Sequence, residues 1–218
     1  MFDNFDLVIA ALASGFWTTI WVTAVSFVFA LLIGAILAAM HVSPAPPARW
    51  VAQAYTGLFR NIPLLAILLI LYFGFPRIGI ELPAFMWALI GLSTYTGAFV
   101  GETLRSGINA IPLGQAEAAR AIGLTFGQSL RNVVLPQTFR TVIPPLGSLL
   151  TALVKNSSLV LVVGVSEISA MAKRLVNDQE HHFNIWSIII GVAACYLIIN
   201  LPISYGIKRA EQRAAFAR

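Results

Sequence analysis

The chain has 218 residues, of which 58% are hydrophobic and only 11% are charged, whereas soluble domains carry about 25% charged residues. So few charges exclude an ordinary soluble protein and predict a single all-α transmembrane domain over residues 1–218. The formal charge of +5 does not indicate nucleic acid, because basic cytoplasmic loops give membrane proteins the same excess.

Five apolar stretches are long enough to cross a hydrocarbon core of ~30 Å at ~1.5 Å per residue. Pro44, Pro46 and Pro47 end the first stretch, because proline stops a helix. The second has to continue through Arg60, since residues 62–75 alone are too short to span. The predicted spans cover about residues 14–40, 50–74, 83–105, 141–165 and 184–207.

The distribution of basic residues predicts which side of the membrane each loop faces. One set of loops and ends holds Arg49, Arg105, Arg120, Arg131, Arg140, Lys208, Arg209, Arg213 and Arg218. The other set holds only Arg77, Lys173 and Arg174. Cytoplasmic loops are enriched in Lys and Arg, so we expect the amino terminus outside and the carboxy terminus in the cytoplasm. The opening residues, Met1 to Asp6, are acidic, and we expect no removable leader.

Residues 109–140 form the only long loop on the predicted cytoplasmic side, and their composition favours helices over a linker. Pro112 suits the first turn of a helix, and residues 113–121 are rich in strong helix formers. Gly123 then allows the left-handed conformation that commonly ends a helix.

A second short helix is predicted to begin at Thr125 in the same loop. Thr125 and Gln128 have the spacing of a capping box, in which the two side chains satisfy each other's backbone amides. This helix runs toward Arg131, and we expect Pro136 to mark its end.

The helix pair permits two interpretations. The small side chains of Ala118, Ala119 and Ala121 suit close packing against a partner protein. Alternatively, the pair lies on the membrane surface, where Arg120 and Arg131 would meet anionic headgroups.

The same loop carries a family signature. Its residues, in order, are Glu117-Ala118-Ala119, then Gly123, Val133 and Leu135-Pro136. This pattern resembles the EAA motif of permease subunits in binding-protein-dependent ABC importers. Residue identity, spacing and the predicted cytoplasmic location agree, which makes the match specific.

Three further segments extend the resemblance over nearly the whole chain and narrow it to the polar amino acid uptake subfamily. They are Phe59-Arg60-Asn61-Ile62-Pro63-Leu64-Leu65, Glu102-Thr103-Leu104-Arg105-Ser106-Gly107 and Lys155-Asn156-Ser157-Ser158-Leu159. Asn61 and Gly101 stand where the family usually has glycine and alanine.

The resemblance implies the permease fold of type I importers, in a multi-pass subunit of a prokaryotic cytoplasmic membrane. It further implies a second permease, identical or paralogous, two ATPase subunits that bind ATP and Mg, and an external amino-acid-binding protein. ATPase coupling would involve Glu117, Ala118, Ala119, Arg120 and Gly123, through which closure of the ATPase dimer would move the attached spans.

Two cations are predicted inside the membrane, where each costs about 2.5–3.5 kcal/mol unless it faces protein or water. Arg60 and Lys155 both fall near the middle of their spans, and together they suit a ligand with a carboxylate, such as glutamate or glutamine. A structural role for Arg60 is equally favoured, because Pro63 leaves a free backbone carbonyl nearby. Asn61 belongs to the same candidate site.

The polar neighbours of Lys155 favour a functional role for it. Asn156, Ser157 and Ser158 place small polar groups beside the cation in an otherwise apolar helix.

The third span adds Thr94, Tyr95 and Glu102 to the candidate substrate-binding residues. The two hydroxyls could serve a ligand or bridge helices. Glu102 could pair with Arg105 three residues later, so an ion pair or gate is at least as favoured as substrate contact.

No sequence pattern predicts catalysis in this chain. It has no G-x-x-x-x-G-K-[ST] phosphate loop, so we expect ATP to be hydrolysed by another polypeptide and no cofactor to be bound here. His181 and His182 lack further ligands at metal spacing, and we expect no metal site. The alternatives are an ion-gradient-driven secondary amino acid transporter, for which no internal repeat is found, and a membrane scaffold or catalyst.

Overall fold

The structure is a computed structural model that describes residues 5–180 and 183–215. Within these ranges the chain is helical and has no strand, which confirms the predicted all-α class. The helices are α1 (Phe5–His41), α2 (Pro46–Asn61), α3 (Leu64–Leu69), α4 (Ala84–Asn109), α5 (Leu113–Ala121), α6 (Phe126–Ser129), α7 (Leu135–Asn156), α8 (Ile168–Val176) and α9 (Ile185–Ala215).

Wider or tighter turns lengthen or join several of these helices. A π turn over Ile70–Gly74 and a 3-10 turn over Phe75–Ile78 extend α3. A π turn over Leu130–Val134 joins α6 to α7, and a 3-10 turn over Ser157–Val163 follows α7.

Among the residues that the structure describes, four continuous stretches are long and apolar enough to cross a membrane. They are Asp6–His41, Ala84–Asn109, Phe126–Val163 and Ile185–Gln212. The fifth candidate is the bent pair of Pro46–Asn61 and Leu64–Ile78, whose two halves meet at 100°.

The bend in the second span contradicts the continuous helix expected over residues 50–74. It falls at Ile62 and Pro63, and Ile62 has the extended conformation that a following proline favours. Pro63 also lacks the amide that would bond to the carbonyl of Phe59. The helix therefore ends at Asn61 and begins again at Leu64.

Helices α1 and α4 run parallel and approach closely through glycines. A Cβ atom at Gly97 would lie 2.7 Å from a side-chain carbon of Ile33, and one at Gly101 would lie 2.9 Å from Leu37 Cβ. Any larger residue would push the two helices apart, so this contact depends on the missing side chains.

The main hydrophobic core lies where α1, α3, α4, α7 and the 3-10 turn after α7 meet. Its buried members include Val22, Leu68, Leu92, Leu153 and Val160. This core fixes the end of α7 against the middle of α4, and it thereby sets the height of the polar residues that follow Leu153.

In the 109–140 segment the structure confirms both the left-handed stop and the capping box. Gly123 has φ +90° after the end of α5. Thr125 accepts a hydrogen bond from the Gln128 amide, and the Gln128 side chain accepts one from the Thr125 amide.

The predicted end at Pro136 is wrong, because the helix continues into α7. Pro136 lies in the first turn of α7, directly after the π turn over Leu130–Val134. That wide turn already interrupts the regular hydrogen-bond ladder, so a residue without an amide proton is tolerated there.

Candidate functional site

Lys155 is an exposed cation in the candidate span that covers Phe126–Val163. It is the penultimate residue of α7, two residues beyond the buried Leu153. Within the described ranges its ammonium group has neither a hydrogen bond nor an ion pair, and the Asn156 amide has no side-chain partner there. A cation inside a membrane helix needs water, protein or ligand around it, so these two side chains are available to a ligand.

The hydroxyl groups of the two serines that follow Lys155 donate hydrogen bonds to nearby backbone carbonyls. The Ser157 hydroxyl is buried and donates to the Val154 carbonyl over 2.7 Å, and the Ser158 hydroxyl donates to the Lys155 carbonyl over 2.7 Å. Each hydroxyl can still accept a hydrogen bond. Their role in substrate binding stays a prediction.

Arg60 lies at the end of α2 in a separate cluster of charges. Its Nη1 atom is 3.9 Å from Glu102 Oε1, and its guanidinium carbon lies 5.7 Å from the centre of the Phe99 ring. Arg105 holds the same carboxylate more tightly, with a 3.0 Å bond from Nε to Oε2 and a second bond to Oε1. The predicted pairing of Glu102 with Arg105 is therefore present.

One electrostatic neighbour of this cluster was missed from the sequence. His41, the last residue of α1, interacts electrostatically with Arg105 and Glu102. Its Nε2 atom is buried and has no hydrogen-bond partner among the residues that the structure describes. No sequence signal joined His41 to residues sixty positions away, since only the parallel packing of α1 and α4 brings them together.

Arg60 and Lys155 have different neighbours in the structure. Arg60 reaches Glu102 on α4, whereas Lys155 follows Leu153, which belongs to the main hydrophobic core together with Leu92. The second span bends by 100°, so counting residues along a straight helix does not give the depth of Arg60. The shared depth expected for the two cations stays a prediction.

The remaining candidates make contacts within the chain, two of them to backbone carbonyls and one to an aromatic ring. The Thr94 hydroxyl donates to the Ile90 carbonyl over 2.7 Å, and the Asn61 amide donates to the Gly57 carbonyl over 2.7 Å. The Tyr95 ring packs against Phe99 with centroids 5.0 Å apart. These contacts stabilise the helices around Arg60, and substrate contact by these residues stays a prediction.

A buried carboxylate that the sequence reasoning missed lies just beyond the Lys155 region. Glu167 is fully buried and caps α8, because it accepts hydrogen bonds from the amides of Ser169 and Ala170. The Tyr196 hydroxyl on α9 donates to the same carboxylate over 3.1 Å. The sequence signal that could have indicated this cap was a single acidic residue within a long uncharged stretch, directly before the residues of a helix.

Four of the predicted coupling residues lie in the second half of α5, and the fifth, Gly123, lies on the turn that follows it. Glu117, Ala118 and Arg120 are exposed, whereas Ala119 is buried within the segment. Two apolar residues missed from the sequence flank Gly123, and they are unusually exposed: Ile122 at 80% and Phe126 at 73%.

No group of three or more His, Cys, Asp or Glu side chains is placed to hold a metal ion among the residues that the structure describes. His181 and His182 lie outside those residues.

Comparison with known proteins supplies the wider context for this geometry. Residues 30–215 match the family model described as binding-protein-dependent transport system inner membrane component. The chain is 35% identical over 213 residues to a probable glutamine ABC transporter permease protein, GlnM, of Bacillus subtilis, covering 98% of this chain and 95% of the relative. It is 37% identical over 218 residues to the glutamate transport system permease protein GluC of Corynebacterium glutamicum, covering 94% of each.

Solved structures show the same fold. A crystal structure of an amino acid ABC transporter with histidines superposes with a TM-score of 0.89 at 30% identity, covering 98% of both chains. An inward-facing MetNI methionine ABC transporter gives a TM-score of 0.75 at 22% identity, covering 94% of this chain and 97% of that chain.

Proposed function

This chain belongs to the family of binding-protein-dependent transport system inner membrane components, and from that premise we propose that it moves glutamate or glutamine past Lys155. It is a permease subunit of an ABC importer for amino acids. Relatives over nearly its full length are named for glutamine and glutamate, which supports this choice within the polar amino acids.

The unpaired ammonium group of Lys155 is the observation that carries the proposal. A buried or membrane-embedded cation is costly unless it has a partner, and the described residues supply none. Both proposed substrates have an α-carboxylate, which would form a charge-assisted hydrogen bond with Lys155. Asn156 offers an amide that can donate or accept beside it.

Uptake by the assembled importer in proteoliposomes, with its ATPases and binding protein, tests this role. We expect Lys155→Gln to lower uptake at least about tenfold, because a hydrogen bond to a charged group contributes about 1.5–3 kcal/mol. Lys155→Arg should retain most of the uptake, since it keeps the charge.

Lys208→Gln is the matched control, because it removes an exposed cation at the far end of α9. Normal uptake by an assembled Lys155→Gln importer would contradict the proposal.

The chain works with partner permease and ATPase subunits, and we propose a pair of permeases sharing one path, two ATPases and an external binding protein. The large apolar side chains exposed along α1 and α9, including Trp17, Trp21, Ile190 and Ile198, support lipid or a second permease as neighbours. A location in a prokaryotic cytoplasmic membrane follows from the same proposal. The ion-gradient-driven alternative has no observation in its favour.

Coupling to the ATPases is proposed for the exposed surface around Gly123. Exposed apolar residues at a water-facing turn favour contact with another protein, and Ile122 and Phe126 provide them next to the EAA residues. Closure of the ATPase dimer would move this turn, and the helices α4 and α7 attached at its two ends would follow.

A further inference from the structure

The outward-facing side of α9 has the length expected of a helix that faces lipid. α9 is the least buried of the four continuous candidate spans, and it has no charged residue between Trp186 and Ile207. Trp186 and Tyr205 are 68% and 58% exposed, and about 28 Å of helix rise separates them. A hydrocarbon core is about 30 Å thick, and Trp and Tyr are enriched at both of its boundaries. The two aromatic residues therefore mark where this side of α9 enters and leaves the membrane.

Two cations end the apolar side of α9 just beyond Tyr205. The exposed apolar residues between the two aromatic rings are Ile189, Ile190, Leu197, Ile198 and Leu201. Lys208 comes seven residues after Leu201 and Arg209 comes four after Tyr205, so at 3.6 residues per turn both continue the same side of the helix. Both side chains are exposed. They therefore lie at the level of the lipid headgroups, directly next to the apolar surface.

Arg140 of α7 brings a third cation to the same end of α9. The two helices are in close contact at Gly147, where an added Cβ atom would overlap the side chain of Ile207. Arg140 precedes Gly147 by seven residues, so it lies two turns away on the same face of α7. Consecutive spans cross the membrane in opposite directions, so the residues before Gly147 lie beside those after Ile207. Arg140, Lys208 and Arg209 thus form one basic patch.

The basic patch has little negative charge of its own. Its three side chains are exposed, and the ion pairs within the described residues join other side chains. The Arg209 guanidinium carbon lies 4.6 Å from the centre of the Tyr205 ring, which orients the cation without neutralising it. Glu211 is the only acidic residue of α9. With Glu211 included, the patch keeps a formal charge of +2, so it is available to an anion.

We propose that the basic patch binds the headgroup of an anionic phospholipid, whose phosphate contacts Arg140 and Arg209 and whose acyl chains lie along the apolar side of α9. Charge-assisted hydrogen bonds to phosphate suit guanidinium groups, and basic pockets between membrane helices bind anionic headgroups. A second copy of this chain fits this side of α9 less well, because a two-fold axis along the membrane normal would bring the same cations together. The lipid site is independent of the substrate and of Lys155.

The experiment is native mass spectrometry of the purified importer complex in a nonionic detergent, titrated with phosphatidylglycerol or with phosphatidylcholine that has the same acyl chains. We expect phosphatidylglycerol to bind more tightly. Arg140→Gln and Arg209→Gln should each raise its Kd about fivefold, the size that one cation near an anionic headgroup supports. Glu211→Gln should lower the Kd, because it removes the acid that repels the phosphate. Lys173→Gln is the matched control, since it removes an exposed cation of α8 and should leave the Kd unchanged.

Three outcomes would overturn the lipid site. The first is equal affinity for the two lipids. The second is an unchanged Kd for phosphatidylglycerol in Arg140→Gln and Arg209→Gln; if Arg209→Gln also lost the ATPase subunits, the cation would belong to a protein contact instead. The third is an unchanged or raised Kd in Glu211→Gln, a comparison that needs neither arginine variant to assemble. The readout is bound lipid rather than uptake, because the basic patch lies outside the candidate substrate-binding residues.

Discussion

At the scale of single residues, the sequence indicates which side chains are unusual but not which hydrogen bonds they form. Lys155 could be singled out from the sequence, because a cation in an apolar span needs an explanation whatever the fold, and its role in substrate binding stays a prediction. The hydrogen bonds of Ser157 and Ser158 to backbone carbonyls could not be predicted, since a hydroxyl in a helix can turn either to its own backbone or to a ligand. Residue type alone does not decide between these rotamers.

The Glu167 cap gives a prediction about stability at this scale. Replacing Glu167 with Ala removes the acceptor for two α8 amides and for the Tyr196 hydroxyl. Each buried donor left unsatisfied costs about 1–3 kcal/mol, so we expect a clear fall in the thermal unfolding midpoint of the detergent-solubilised complex. Glu167→Gln keeps one acceptor oxygen, so its unfolding midpoint should lie between those of Glu167→Ala and the unaltered complex.

The control for Glu167 is Glu81→Ala, which removes an exposed acid outside the helices. Equal midpoints for Glu167→Ala and the unaltered complex would show that the cap does not hold α8 in place.

At the scale of secondary-structure elements, sequence patterns predicted where a helix is capped better than whether it continues through a proline. The capping box at Thr125 and the left-handed Gly123 depend on neighbours within a few residues, and both are present. Pro63 and Pro136 carry the same local signal, yet one ends a helix and the other lies in a continuous one. The difference comes from the turn geometry and packing around each proline, which sequence spacing does not contain.

The turn at Gly123 allows a matched test of ATPase coupling. A Cβ atom at Gly123 would meet no atom of the described residues within 4 Å, but the backbone there has φ +90°, which a β-branched residue strongly disfavours. We therefore expect Gly123→Val to alter the turn and uncouple ATP hydrolysis from uptake, while the complex still assembles. The ratio of ATP hydrolysed to substrate imported should rise.

Gly127→Val controls for added bulk on the same surface. Gly127 also has open space around it, and its φ is not in the left-handed region. This variant should stay coupled, and a Gly123→Val importer with an unchanged ratio would refute force transfer through the turn.

The whole molecule combines a membrane composition that sequence could establish with an arrangement of helices that it could not. Counting charges and apolar stretches predicted the all-α class and the candidate spans. The parallel contact of α1 with α4, which brings His41 to Arg105, depends on glycines such as Gly97 and Gly101 that allow close approach. Many glycines in membrane helices are compatible with such contacts, so the pairing emerges only from the packed structure.

The orientation of the molecule in the membrane is the prediction on which the proposed coupling depends. In a Cys195→Ser background, Gln115→Cys places a thiol on the exposed surface of α5, and Gln179→Cys places one in the loop between α8 and α9. Because basic residues concentrate on the side of α5, a membrane-impermeant maleimide added to intact cells should label Gln179→Cys alone. Inverted vesicles should give the reverse pattern, and opening the membrane with detergent should label both. Labelling of Gln115→Cys from outside intact cells would place the turn at Gly123 beyond the reach of a cytoplasmic ATPase.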